Sequence, residues 1–224
     1  MIIITGASSG IGKFLFDKYK DLGLDVIGTY NTTTKTTRGY SKVDISDYSQ
    51  VSNWINKNEL ILDEITLINC AGISYNSFAH KSDPEIWKSV IEVNLIGTFN
   101  CILALLPIMR NQKFGRIINF SSIVAQKGTP GVSAYAASKA ALWGMTKSIS
   151  QENASLNITI NNINLGYSEL GMIKTVPNKF LDLVIQQIPS KKLCEPDDIF
   201  KTVEYLRNCG NINGSSIDLN GVHI

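Results

Sequence analysis

The chain has 224 residues, 44% of them apolar and 18% charged, with a formal net charge of +2. That length fits one large α/β domain better than two small ones, and the balance is that of a globular protein with a sizeable core. A near-neutral charge without a long Lys/Arg run excludes a nucleic-acid backbone as the expected partner. Cys70, Cys101, Cys194 and Cys209 show neither C-x-x-C pairing nor zinc-type spacing, which predicts free thiols in a reducing compartment. Ile2-Ile3-Ile4 follows no basic n-region, and no apolar run reaches the roughly 18 residues of a spanning helix. The expectation is therefore cytoplasmic, with no membrane partner.

Ile2 to Thr5 reads as a short buried strand that opens directly into Thr5-Gly6-Ala7-Ser8-Ser9-Gly10-Ile11-Gly12. Ile11, Phe14, Leu15, Tyr19 and Leu22 then recur at helical spacing, with Gly23 as C-terminal stop. Leu24 to Tyr30 is the next strand, Asn31 to Gly39 a threonine-rich loop, and Tyr40 to Val43 a short third strand. A helix from about Asp47 to Asn56 precedes a strand at Ile65 to Cys70. Ser82-Asp83-Pro84-Glu85 starts a long helix that runs past Asn94 and Gly97 to about Met109. Arg116 to Phe120 is a strand closed by Ser121-Ser122, and Ser133 to Ala154 is a helix. Asn157 to Leu165 forms a strand, 166–190 a loop with an amphipathic helix, Pro196 to Arg207 a helix and Ser216 to Leu219 a last strand. Strands alternating with helices from end to end predict βαβ units, hence an α/β, doubly wound parallel sheet with helices on both faces in a single domain, 1–224.

Two stretches carry chemistry. Gly6, Gly10 and Gly12 lie between a strand and a helix, where glycines allow a tight turn and close approach to a pyrophosphate, which the helix N-terminus attracts. Thr5, Ser8 and Ser9 add hydroxyls for phosphate or for neighbouring loops. In Ser133-Ala134-Tyr135-Ala136-Ala137-Ser138-Lys139, Tyr135 and Lys139 are one helical turn apart on one face. A lysine cation there favours the phenolate and pulls the phenol down from its ordinary pKa near 10. Reaching neutrality needs about 4 kcal/mol, more than one screened pair supplies, so a second positive charge such as a cofactor's is required.

With these residues in view, the sequence resembles the short-chain dehydrogenase/reductase family in its compact form, across nearly the whole chain. The matching residues are Thr5 to Gly12, Asp44, Asn69-Cys70-Ala71-Gly72, Asn94, Ser122, Tyr135 and Lys139, with Ser122 thirteen residues before Tyr135. The resemblance implies a Rossmann-like fold and hydride transfer between a nicotinamide and a carbonyl or secondary alcohol. Tyr135 would be the general acid or base, Ser122 would hydrogen-bond the substrate oxygen, and Lys139 would hold the nicotinamide ribose. Asn94 would anchor a water linking Lys139 to solvent. Gly6, Ser8, Ser9, Gly10, Ile11 and Gly12 would cradle the cofactor. Tyr30, Asn31, Asp44, Ile45, Asn69, Cys70, Ala71, Gly72 and Gly166 would line the rest of its path, with Asp44 accepting from the adenine amino group.

The second strand ends Thr29-Tyr30-Asn31 with no acid to hold a ribose 2′-hydroxyl, while Lys35 and Arg38 follow, so NADP is favoured over NAD. Two departures stand out: Cys70 where a second asparagine is usual, and Leu165-Gly166 where Pro-Gly is common. A 3-oxoacyl thioester, a sugar ketone or a small ketone are all open as substrate. Leu170, Met172, Ile173, Val176, Phe180, Leu181, Val184 and Ile185 could form a lid over it or simply pack, with Lys174, Lys179, Lys191 and Lys192 scattered around. Trp54, Trp87 and Trp143 are expected to fill core or interface positions, and His80 and His223 are too isolated for a metal site. The resemblance also implies a homodimer or homotetramer. The alternatives are a catalytically silent dinucleotide-binding protein, which has no need of the Ser-Tyr-Lys set, and a methyltransferase, which the glycine loop alone would fit.

Overall fold

In the computed structural model, which describes residues 1–32, 38–171 and 178–222 except the side chains of 178–180, the apolar alternation of the strands sorts the core into two layers. The strands are β1 (Ile2–Thr5), β2 (Val26–Tyr30), β3 (Tyr40–Lys42), β4 (Thr66–Asn69), β5 (Gly115–Ser122), β6 (Ile158–Leu165) and β7 (Ser216–Leu219). They pair in the order β3-β2-β1-β4-β5-β6-β7, every pairing parallel. The chain order reverses between β1 and β4, so the carboxyl ends of these two strands flank the switch point where open α/β sheets bind ligands.

The helices are α1 (Gly10–Asp21), α2 (Tyr48–Asn58), α3 (Pro84–Ile91), α4 (Thr98–Gln112), α5 (Val124–Lys127), α6 (Ser133–Asn153), α7 (Asn178–Gln187) and α8 (Pro196–Asn208). Successive strand side chains point to opposite faces. Ile3, Leu67, Ile117 and Ile160 pack with Trp54 and Ile55 of α2, Ile102 and Leu105 of α4 and Ile149 of α6. Ile2, Ile4, Ile68, Ile118 and Ile163 pack with Leu15, Phe16 and Tyr19 of α1 and Ile199, Val203 and Leu206 of α8. The expected doubly wound sheet with helices on both faces is thus the observed one.

The long helix expected from Ser82 to Met109 is interrupted. A π-helical turn, Glu92–Gly97, joins α3 to α4, and the run continues to Gln112. Periodicity over so short a turn does not distinguish five-residue from four-residue bonding. Pro84–Gln112, 29 residues, is long and apolar enough by length and composition to cross a membrane, unlike the shorter apolar runs visible in sequence. Its apolar face is nevertheless a core face, with Cys101, Ile102, Leu105 and Met109 each 2% exposed or less. Gly97 lets this helix approach the start of α2, because a Cβ there would stand 2.7 Å from Ile45 Cγ1.

The half of the sheet beyond β4 also holds a row of buried amides in register. Asn69 pairs with Asn119 and Asn119 with Asn162 across β4, β5 and β6, and Asn162 faces Ser216 on β7. Asn69 Nδ2 donates to Asn119 Oδ1 at 2.9 Å, Asn119 Nδ2 to Asn162 Oδ1 at 3.3 Å, and Asn162 Nδ2 to Ser216 Oγ at 3.0 Å. Thr146 of α6 joins it, donating to Asn162 Oδ1 at 2.9 Å. Asn69 Oδ1, at the end of the row, is itself buried without a partner among the described residues, so that end of the row has no bond to spare. Asn119→Ala leaves Asn69 without its acceptor and is expected to cost about 1–3 kcal/mol, read as a lower urea midpoint at unchanged slope.

Candidate active site

The glycine turn is built by contacts that exclude side chains. Gly6 and Gly10 have φ of +65° and +52°, and a Cβ on Gly12 would lie 2.4 Å from the Gly6 carbonyl oxygen. The turn is tied down at both sides: Ala7 N–H donates to the Thr29 carbonyl at 2.8 Å, and Thr5 Oγ1 accepts from the Cys70 and Ala71 N–H groups, each at 3.2 Å. Thr5 therefore serves a neighbouring loop, one of its two expected uses. A Cβ on Gly6 would stand 2.7 Å from Ala71 Cα, so Asn69-Cys70-Ala71-Gly72 forms the opposite wall.

The N-terminus of α1 is chemically unlike those of α2 and α3. Asp47 and Asp83 cap those helices with their carboxylates. At α1, Ser9 stands at the N-cap in extended conformation with no side-chain cap, and no acid lies in the first turn. Gly10 and Ile11 begin the helix, so its first N–H donors and positive dipole face the turn without a carboxylate competitor. This cradle fits a dinucleotide pyrophosphate. The chain after β6 comes back over it: a Cβ on Gly10 would be 3.2 Å from Gly171 Cα, and one on Gly166 2.8 Å from Asn220 Cα.

The outer contacts are more local. Tyr30 is half-buried, and its carbonyl accepts from Val43 N–H at 2.9 Å, while Asn31 and Arg38 are exposed. Lys35 lies outside the described residues, as do Met172, Ile173, Lys174, Val176 and His223. Asp44 Oδ1 accepts from the Ser46 amide at 3.0 Å and from its hydroxyl at 2.6 Å, a self-contained turn. Ile45 is buried, its carbonyl accepting from Asn100 Nδ2 at 2.9 Å.

Ser122, Tyr135 and Lys139 come together where β5 ends and α6 begins. Ser122 and Lys139 are buried, Tyr135 is half-buried, and a hydrogen bond links Tyr135 with Ser122. Lys139 Nζ donates to the Phe120 carbonyl at 2.7 Å and lies 5.6 Å from the centre of the Tyr135 ring. Burial lowers the ammonium to about 8. The expected depression of Tyr135 by Lys139 is not what the free protein has. Burial raises the phenol, and the Ser122 hydrogen bond only partly offsets it. The reason is geometric, since the ammonium is drawn to a carbonyl on β5 and not to the phenol oxygen.

Asn94, in the π-helical turn, is fully buried. Its Oδ1 accepts from Ile73 N–H at 2.8 Å, and its Nδ2 donates to the Ile73 carbonyl at 2.9 Å and to Ser138 Oγ at 3.0 Å. Ser138 in turn donates to the Tyr135 carbonyl at 2.8 Å. A Cβ on Gly72 would be 3.2 Å from Asn94 Oδ1 and 3.7 Å from Lys139 Nζ, which places Gly72 between them. Sequence reasoning missed Ser138, whose type is common in helices and whose partner is 44 residues away. It also missed the Phe120 carbonyl, which no side-chain pattern can reveal. His80 stacks on Phe78 at the surface, away from these groups. Cys70 sits close enough to Lys139 to feel its charge, although burial dominates and pushes the thiol up.

Comparison with known proteins identifies the family. The short chain dehydrogenase family matches residues 1–179. An acetoacetyl-CoA reductase of Shinella zoogloeoides is 38% identical over 231 residues, covering 98% of this chain and 96% of that protein. A 3-oxoacyl-[acyl-carrier-protein] reductase of Staphylococcus epidermidis is 31% identical over 235 residues, with 98% and 96% covered. The crystal structure of 3-oxoacyl-[acyl-carrier protein] reductase from Brucella melitensis superposes with a TM-score of 0.92 at 26% identity, covering 100% of this chain and 91% of that one. The chain belongs to the short-chain dehydrogenase/reductase family and is an NAD(P)-dependent oxidoreductase that moves a hydride between nicotinamide and a carbonyl or alcohol carbon.

The buried ammonium makes stability depend on pH with a defined sign. Its folded pKa, about 8, lies below the unfolded 10.5, so between those values the unfolded chain binds more protons and Lys139 makes stability rise with pH. Below about 8 the full penalty, on the order of 3 kcal/mol, is present. Lys139→Met is expected to remove this rise from urea titrations collected across that window.

Proposed function

We propose that the protein is an NADPH-dependent reductase of 3-oxoacyl thioesters, working through Ser122, Tyr135 and Lys139. The observation that carries the reading is Ser122 beside the Tyr135 phenol, next to a buried Lys139 whose ammonium is met by the Phe120 carbonyl. The thioester class is supported by relatives named acetoacetyl-CoA reductase and 3-oxoacyl-[acyl-carrier-protein] reductase.

A bound nicotinamide would supply the hydride to the carbonyl carbon. Ser122 Oγ donates to the carbonyl oxygen and steadies the charge that develops there. Tyr135 donates its phenolic proton to that oxygen, completing the alcohol. Lys139 binds the ribose hydroxyls, and its positive charge then opposes the cost of the Tyr135 phenolate. Asn94 has three of its hydrogen-bonding positions engaged, which leaves an acceptor lone pair beside Gly72 and Lys139 for a water leading to solvent.

Gly6, Gly10, Gly12 and the uncapped α1 terminus hold the pyrophosphate, with Ser8 and Ser9 adding hydroxyls. Asp44 offers its carboxylate to the adenine amino group beside Ile45. Asn69, Cys70, Ala71, Gly72 and Gly166 wall the dinucleotide's path. Preference for the 2′-phosphate rests on Tyr30 and Asn31, which bring no carboxylate to the end of β2, and on the exposed Arg38. The substrate loop contributes Leu170, packed against the α1–α8 side of the core, while Lys191 and Lys192 are solvated. The protein works as a homodimer or homotetramer in the cytoplasm. An exposed row on the π turn and α4, Ile96 (44%), Phe99 (39%) and Leu103 (40%), supports assembly through that face.

The test is reduction of acetoacetyl-CoA, followed by nicotinamide absorbance with NADPH and with NADH. Turnover is expected with NADPH in preference to NADH. Tyr135→Phe should lower kcat by about a thousandfold or more while NADPH affinity stays within about twofold. A fully active Tyr135→Phe overturns the assignment. Light scattering of the purified protein is expected to give two or four chain masses, and a single chain mass defeats the assembly.

A further inference from the structure

One residue before Ser122, a second hydroxyl is committed elsewhere. Ser121 is 3% exposed, and its Oγ donates to the main-chain carbonyl of Lys139 at 3.0 Å. The same oxygen accepts from Trp143 Nε1 at 3.1 Å, and that indole N–H is shared with Asn164 Oδ1 at 3.0 Å. Asn164, 2% exposed, stands opposite Ser121 across β5 and β6 and opposite Asp218 across β6 and β7. Its Nδ2 donates to Asp218 Oδ1 at 2.7 Å, and Gln126 Nε2 of α5 donates to the same carboxylate oxygen at 2.9 Å. A chain of polar side chains from β5, β6, β7, α5 and α6 is therefore linked, through Ser121, to the backbone carbonyl of the residue that carries the site's cation.

We propose that Ser121, Trp143 and Asn164 are positioning residues, which lock α6 onto the ends of β5 and β6 so that Tyr135 and Lys139 stay opposite Ser122. The inference rests on the reductase reading above, because the constellation it protects is the one assigned there. Apolar contacts alone would hold α6 to the sheet but would tolerate a slide along it, since dispersion and burial are non-directional. Hydrogen bonds have length and direction, and a buried network is satisfied in only one register. Lys139 is gripped at both ends by adjacent residues of one strand, its carbonyl by Ser121 and its ammonium by Phe120. A shift of α6 by a fraction of a turn would break both grips and stretch the Tyr135–Ser122 bond. Among the described residues, the ionisable groups near the ammonium are Tyr135 on its own helix and Cys70 after β4, while Asp218 lies at the far end of the network behind Asn164.

The test uses two variants of the full chain. Ser121→Ala removes the shared hydroxyl, and Trp143→Phe keeps a ring while deleting the indole donor. The first readout needs no cofactor: NMR of lysine labelled with 13C at Cε, with the Lys139 signal assigned by its loss in Lys139→Arg. The wild-type midpoint is expected at about 8. In both variants it should move up by about one pH unit, as water reaches the ammonium. The second readout is kcat for acetoacetyl-CoA, expected to fall about tenfold with NADPH affinity and KM within about twofold. Unfolding midpoints are recorded alongside. An unmoved Lys139 midpoint with wild-type kcat in a folded variant overturns the proposal, and so does a kcat loss with an unmoved midpoint. Should one variant not fold, the other decides. A wild-type protein that reduces no thioester, but whose Lys139 midpoint moves in the variants, overturns the reductase reading and leaves the positioning role standing.

Discussion

The site depends on keeping one ammonium in a place where water would not leave it. Lys139 is buried, its charge answered by the Phe120 carbonyl and not by a carboxylate. An acid at that distance would hold the proton firmly and keep the ammonium turned away from any sugar hydroxyl. A carbonyl is a weaker partner. It satisfies the donor without neutralising it, so the charge stays available to whatever enters beside Gly72 and Asn94. The cost is a cation whose pKa falls to about 8, close to working pH. Such strongly shifted groups concentrate at functional sites, as the proposed role of Lys139 requires.

What holds it is an unusually polar half-sheet. Between β4 and β7 the strands carry Asn69, Asn119, Asn162 and Ser216 in one row and Ser121, Asn164 and Asp218 in another. Both rows reach α6, through Thr146 and through Trp143. On the β1–β3 side the sheet is held by aliphatic and aromatic contacts, with Phe16 against Tyr40 and Ile4 among the α1 side chains. The division follows use. The glycine turn needs close backbone packing, which glycines and small residues provide, whereas the Tyr-Lys helix needs a fixed register, which directional bonds provide.

Much of this was legible in the sequence because it is local. Strand and helix periods, the glycine spacing, the Asp83-Pro84 start of α3 and the Tyr135–Lys139 pair all depend on residues a few positions apart. The parts that escaped depend on distant partners. Asn94 is reached in the sequence only through the family resemblance, and its partners Ile73 and Ser138 are not among its neighbours in the chain. Trp143 was expected only to fill space, yet its indole N–H joins two strands to α6. The interruption of the long helix by a π turn was invisible for another reason: Glu92–Gly97 keeps the apolar spacing of its neighbours and changes only the bonding. The sign of the Tyr135 shift was misjudged from spacing alone, because one helical turn sets how near two side chains can be, not which acceptor the cation chooses.

That raised phenol pKa has a consequence for direction. In the proposed reaction Tyr135 acts as a general acid, and burial favours its protonated form in the free protein. The Ser122 hydrogen bond pulls the other way but does not prevail. The phenolate would be tolerable there only with further positive charge beside it, which a bound oxidised nicotinamide would supply. In the proposed reduction the tyrosine would thus enter the reaction in its resting protonation state.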